Sequence, residues 1–347
     1  MPHRSSAPGS AVTTTASPAP LVPLDVALAR WLAGVRPVAP IACAPGDAVG
    51  AALAQDVVAP ADVPETARAG RAGFAVAAAD TIGASPYAPA ACAAAPARVA
   101  AGAALPPGCD AILPEGALSE GPIPEVLAEV APGTDVRRAG EDARAGAVVL
   151  PAGHRLRASD ASGLAAIGVA NVAIRRPRVR LDGPGLLAPL VSALGGAVVS
   201  GEADLVLVRG ADAPGGGEAV VADGLALRPG ATTRLARDAR GTLVAHLPAL
   251  ESDALGAALA LLPGALAALA GAVPVAPAPV RLAAPLTSTV GLTEIVLLAA
   301  EGDGRRVPLA VGELTLAAFA RADAYALVPP DAEGYAGGAI LDARPLP

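Results

Sequence analysis

Lysine is absent from this chain of 347 residues: all 25 basic residues are arginine, against 32 acidic ones, for a formal net charge of -7. The absence removes every amine nucleophile and every Schiff-base lysine. A net acidic chain with pI near 5.1 also lacks the clustered positive charge with which proteins hold phosphate backbones, so nucleic acid is excluded as a partner. Cysteine is scarce. Cys43, Cys92 and Cys109 lie far apart, with no CxxC pair and no histidine at zinc-ligand spacing, which argues against a metal-thiolate centre and for reduced, structural thiols in the cytoplasm. Aromatics make up 2% of the chain, so its core must be built from Ala, Val and Leu. Residues 1–20 mix Ser, Thr, Pro and Ala without an apolar run and read as a disordered tail, not a signal peptide.

One long hydrophobic run is present, ALGAALALLPGALAALAGAV from Ala254 to Val273. Its length approaches a membrane span, but Pro263 and the glycines interrupt it and no basic cluster anchors it. Glu251 and Asp253 stand before it as helix-start residues, so the run reads as a buried or half-buried helix of a soluble domain, with no membrane partner.

Leu24–Val35 carries a helical stripe of Val26, Leu28, Trp31, Leu32 and Val35, stopped by Gly34 and Pro37. A short helix is expected over Asp47–Leu53 and a strand over Ala54–Val58, and from Gly73 to Ile112 short apolar runs alternate with Gly and Pro as in a small β-rich subdomain. Gly146–Leu150, Pro151–Gly153 and Ala158–Ile167 read as strand, turn and helix, followed by a strand at Val172–Ile174. After Pro177 the order becomes strand (Val179–Leu181), turn (Gly183–Gly185), helix (Leu186–Leu194), strand (Ala197–Val199), strand (Leu205–Val208). This alternation predicts an open α/β layer with ligands at the carboxyl ends of its strands. A Pro-rich linker at Ala276–Pro279 then leads to strands near Glu294–Leu298 and Ala324–Val328, in a small β-barrel or sandwich.

Chemistry-bearing residues concentrate in RRAGEDARAGAVVLPAGHRL, Arg137–Leu156. Arg137 and Arg138 offer fork-shaped donors suited to phosphate, Glu141 and Asp142 offer oxygens to a hard cation such as magnesium, and Gly140 lets the backbone turn between them. The same residues also fit a surface salt-bridge cluster capping a turn. His154, in a Pro-Ala-Gly-His turn, reads as solvent-exposed, and His246, at a strand end, as packed; neither shows a sequence-local partner for acid-base work. Ser159-Asp160 and Ser252-Asp253 lack a nucleophile-elbow context.

Together with LPPGCDAILPE (Leu105–Glu115) and GLAAIGVANVAIRRPRV (Gly163–Val179), this stretch resembles the MoeA and gephyrin E-domain family, the molybdopterin molybdenumtransferases. The resemblance covers nearly all of Leu21–Pro347, strongly at Leu105–Val179 and weakly at Gly183–Asp253. It implies a multidomain α/β and β protein. Residues 21–53 plus 136–177 would form a discontinuous domain, 54–135 an inserted β-rich subdomain, 178–275 a reduced MogA-like α/β domain, and 279–347 a C-terminal β domain. It further implies a cytoplasmic homodimer with a molybdopterin-pathway protein partner, acting on molybdopterin or adenylylated molybdopterin with magnesium. The family activity is insertion of molybdate into the adenylylated form.

Several positions depart from the family pattern. AGRAGFAV (Ala69–Val76) stands for SxMDGYAV, with Ala72 in the aspartate's place and Arg71 adding a positive charge. DGPGLL (Asp182–Leu187) stands for STGDEL, so Leu186 and Leu187 replace two carboxylates. The glycine loop TSGGVSVGDxD is matched by Arg209-Gly210-Ala211 and Pro214–Gly217. LALRPGATT (Leu225–Thr233) stands for MKPGKPT and keeps Arg228, Pro229 and Gly230, while LPALESD (Leu247–Asp253) has lost the Gly-Asn-Pro turn of LPGNPVS. The resemblance thus places Arg137, Arg138, Gly140, Arg209, Gly210, Arg228, Pro229 and Gly230 as ligand contacts, and Glu141 and Asp142 as catalytic or metal-binding candidates. Transferase activity is expected to be impaired or lost. A non-catalytic dimeric scaffold, or a binder of another pterin or nucleotide using Arg71, Arg209 and Arg228, are the alternatives.

Overall fold

The computed structural model describes residues 20–92, 94–119, 121, 123–210 and 217–347. The tail 1–19 and most of the glycine-rich 214–217 segment lie outside the described residues. The described residues form two compact units, one within 37–176 with 270–273, the other within 20–36, 177–269 and 274–347.

In the first unit, Val172–Arg175 is the central strand between Ile41–Cys43 and Ala52–Leu53, all antiparallel. Leu53, Leu156, Leu164, Val172 and Ile174 form its core beneath helix Ala158–Ala166. The helix expected over Asp47–Leu53 is one 3-10 turn at Pro45–Ala48. Gly50 at φ +82 ends it, a left-handed conformation that no helix continues through, and Ala52–Leu53 is a strand. The β-rich part is built on Gly73–Val76, paired with both Ala97–Val99 and Ala111–Leu113, over a core of Phe74, Val76, Ala111, Leu113 and Val126.

Helix Ala158–Ala166 starts on a charged cap. The nearly buried carboxylate of Asp160 accepts the Arg157 backbone N–H at 2.9 Å, the Arg157 guanidinium at 2.7 Å and the His154 imidazole at 2.7 Å. An ionised carboxylate only accepts, so His154 carries its proton on Nε2. His154 thus has a partner six residues away, correcting its assignment as a solvent-exposed residue without one. The Arg157 hydrogen bonds, aided by that from His154, hold the Asp160 carboxyl well below the usual carboxylate range. A folded pKa below the unfolded value of about 3.9 stabilises the fold fully above that pH and progressively less as pH falls. Asp160→Ala is therefore expected to cost about 1 kcal/mol or somewhat more near neutrality, as for loss of a helix cap. It should also flatten the loss of stability below pH 4 in urea titrations; an unchanged acid limb would show that the network contributes nothing.

In the second unit, helix Leu24–Leu32 buries Leu24, Ala27 and Trp31; Val26, Leu28 and Leu32 are half-buried, so the buried face is rotated from the expected stripe. The resemblance implies that this segment groups with 136–177; in the structure it lies beside strands Arg234–Arg237 and Ala219–Asp223. Trp31 donates its indole N–H to the Ala236 carbonyl at 2.9 Å, and Arg237 donates to the Trp31 carbonyl at 2.6 Å. Those strands belong to a six-stranded sheet ordered Ala197–Val199, Arg178–Asp182, Leu205–Arg209, Leu243–Leu247, Arg234–Arg237, Ala219–Asp223. The first four are parallel and the last two antiparallel. The helix expected over Leu186–Leu194 is a 3-10 turn, Gly185–Leu187, leading into Ala188–Ala193. Between Leu194 and Leu205 the chain carries the strand Ala197–Val199 and no helix, the reduced connection its length predicts.

Helix Glu251–Ala270 is long and apolar enough to cross a membrane, but 72% of its apolar window is buried within the protein. Beyond it, Ala278–Arg281 pairs with Ile340–Pro345, so the expected linker already enters a strand. The C-terminal sheet runs Leu227–Arg228, Thr293–Ala300, Ala324–Val328, Ile340–Pro345, Ala278–Arg281, with Arg306–Val311 also on Thr293–Ala300. Its core is Leu282, Leu286, Val296, Leu298, Val328 and Leu341. Leu227–Arg228 thereby ties the Arg228-Pro229-Gly230 turn to this sheet.

Candidate functional site

Three places hold the predicted residues. At the carboxyl ends of the parallel strands, where α/β sheets bind ligands, Leu181, Leu187, Leu207 and Leu247 close in with Pro184 around a cavity of about 10 Å3. One water needs roughly that much space, so the space enclosed by these described residues themselves is too small for a pterin or nucleotide. Arg209 stands at the rim, its side chain 16% exposed, and donates to Glu251 at 2.6 Å and to the Ala249 carbonyl at 3.2 Å. The same pairing lowers the Glu251 pKa. Gly210 donates its N–H to the Leu247 carbonyl at 3.1 Å, which removes it as a phosphate donor.

The second place lies in the other unit. Arg137 pairs with Glu141 at 3.3 Å and with Asp142 in a shorter contact, and Glu141 also accepts the Arg138 backbone N–H at 2.7 Å. Gly140 has φ +69, and a Cβ there would meet Arg144 at 3.2 Å and Asp62 at 3.4 Å, so the turn requires glycine. The structure brings Arg137, Glu141 and Asp142 into one exposed patch. Their charges are spent on one another and on backbone, and no metal-holding group of three or more donors occurs among the described residues. Arg137 engages both carboxylates, so neither is free to hold a magnesium ion. Ala72 is exposed beside Arg71, which pairs with Asp135 at 3.5 Å.

The third place is a pocket of about 540 Å3 bordered by Arg228, Gly230, Thr232, Leu250, Asp253 and Glu313. Arg228 precedes a cis proline, Pro229, and helix residue Gly256 approaches that ring so closely that a Cβ would lie 2.6 Å from it. Arg228 Nη1 donates to Glu294 at 3.3 Å and Nη2 to Glu313 at 2.5 Å. Glu294 is 2% exposed and also accepts the Thr289 N–H at 3.0 Å. The resemblance implied an anion contact at Arg228; the structure surrounds it with carboxylates.

Glu294 and Glu313 were missed by sequence reasoning. Glu294 was legible in principle, as one charge inside the apolar strand TEIVLLAA, because an acid buried in such a run needs a cationic partner. His246 is packed as expected, but with an unforeseen partner: its Nε2 donates to Glu218 at 2.7 Å, 28 residues away.

Residues 22–168 match the family described as the MoeA N-terminal region, domains I and II. That match covers less than half of the chain. Its fold is also similar to the molybdopterin biosynthesis MoeA protein of Pyrococcus horikoshii OT3, with TM-score 0.77 and 24% identity over 93% of this chain and 99% of that one. A second crystal structure of the P. horikoshii protein gives 0.70 and 22% over 94% and 99%. A molybdenum cofactor biosynthesis protein of Pyrococcus furiosus gives 0.60 and 20% over 93% and 99%. The MoeA architecture therefore extends past the matched N-terminal region into the α/β and C-terminal sheets, while the contacts in the three places above belong to this chain's own residues.

Proposed function

We propose that this chain is a MoeA-family protein that acts in molybdenum cofactor metabolism as a largely non-catalytic member, a dimeric cytoplasmic scaffold for a molybdopterin-pathway partner. The observation that carries this reading is the narrow space at the strand ends, where, among the described residues, Leu187 and its apolar neighbours leave about 10 Å3. Transferring a metal onto an adenylylated pterin needs cradled phosphates, a charge-neutralising cation and free carboxylates around one cleft. Here Arg209 and Arg137 are paired with Glu251, Glu141 and Asp142, and the aspartate of the family motif is Ala72. Molybdopterin would meet this chain through a partner's site more readily than through its own α/β crevice.

Calorimetric titration with molybdopterin and adenylylated molybdopterin, with and without magnesium and molybdate, tests the reading. The expected result is no magnesium-dependent binding of the adenylylated form and no cofactor formation. Tight magnesium-dependent binding with turnover would return the chain to the transferases.

A further inference from the structure

Two carboxylates share the Arg228 guanidinium, but they are not equivalent. The Glu294 side chain is 3% exposed, held by the Thr289 N–H at 3.0 Å and confined by Gly312, where a Cβ would lie 2.6 Å from Glu294 Oε1. It is a fixed part of the strand and neutralises the arginine once. Glu313 is 83% exposed, stands at the border of the 540 Å3 pocket and takes the remaining edge of the fork, Nη2, at 2.5 Å. An arginine fork offers two parallel donors to an oxyanion. In this pocket the chain's own carboxylate occupies that edge, and Asp253 adds a further negative charge to the lining.

We infer that Glu313 is a specificity-determining residue: its carboxylate acts as a built-in anion on Arg228 and sets this pocket against phosphate-class ligands. An incoming oxyanion must displace Glu313 and then share the pocket with it, so the displaced charge opposes binding as well. Neutralising Glu313 releases the Nη2 edge without disturbing the pairing of Arg228 with the buried Glu294. The inference concerns anion affinity alone and stands or falls independently of whether the chain inserts metal.

Inorganic pyrophosphate, titrated calorimetrically without divalent cations at fixed ionic strength, is the probe. Wild type is expected to bind weakly, and Glu313→Gln to gain at least tenfold in affinity. Glu301→Gln, which removes the same charge from the turn at the far end of the Thr293–Ala300/Arg306–Val311 hairpin, where Glu301 faces Arg305, should gain less than twofold. The gain should vanish in Glu313→Gln/Arg228→Gln; should that double variant unfold, the comparison of Glu313→Gln with Glu301→Gln decides. Equal affinity in wild type and Glu313→Gln, an equal gain in Glu301→Gln, or a gain that survives loss of Arg228 overturns the inference.

Discussion

Replacing Trp31 with alanine is expected to cost about 3–5 kcal/mol, in the range of large-to-small changes at fully buried aromatic positions. Trp31 is the sole tryptophan, is 0% exposed, and does two jobs at once. Its ring fills the space between helix Leu24–Leu32 and the sheet, and its N–H satisfies the Ala236 carbonyl in strand Arg234–Arg237. A chain so poor in aromatics has few side chains large enough to fill such a gap. Trp31→Phe separates the two contributions, since it keeps most of the ring but leaves a buried carbonyl unpaired, a loss of about 1–3 kcal/mol. Urea unfolding followed by circular dichroism measures both variants. A Trp31→Ala loss under about 1 kcal/mol would mean that the helix is not anchored to the sheet by this residue.

The helical stripe around Trp31 was legible, as were Ala158–Ala166, Ala197–Val199 and Ala324–Val328, because local periodicity and Gly or Pro stops specify them. Rotation of the first helix was not, because Ala27 is too small to announce itself as a core residue until the facing strand is known. The site was less legible for the same reason on a larger scale. That Arg137 meets Glu141 is a four-residue matter and could be anticipated. That Arg228 meets Glu294 and Glu313, 66 and 85 residues on, depends on Leu227–Arg228 joining Thr293–Ala300 in the C-terminal sheet. No local pattern encodes that pairing. The family resemblance located the arginines but carried no information about carboxylates that this chain has placed against them.

Within Ala69–Val76 adjacent positions face opposite packing demands, and mutation should reveal the difference. Gly73 begins the strand held between Ala97–Val99 and Ala111–Leu113. A Cβ at Gly73 would lie 2.4 Å from the Leu113 carbonyl oxygen and 2.7 Å from Ile112 Cγ2. Gly73→Ala must therefore push the central strand off one neighbour, an overpacking expected to cost about 1–3 kcal/mol or more. One residue earlier, Ala72 is exposed, so Ala72→Asp should change stability by no more than about 0.5 kcal/mol. Parallel thermal melts of the two variants check this, and a Gly73→Ala protein as stable as wild type would refute the close packing. The two adjacent positions thus differ in what the fold demands of them: a side chain at 73 meets the neighbouring strand on which the β-rich part is built, whereas one at 72 projects from an exposed position.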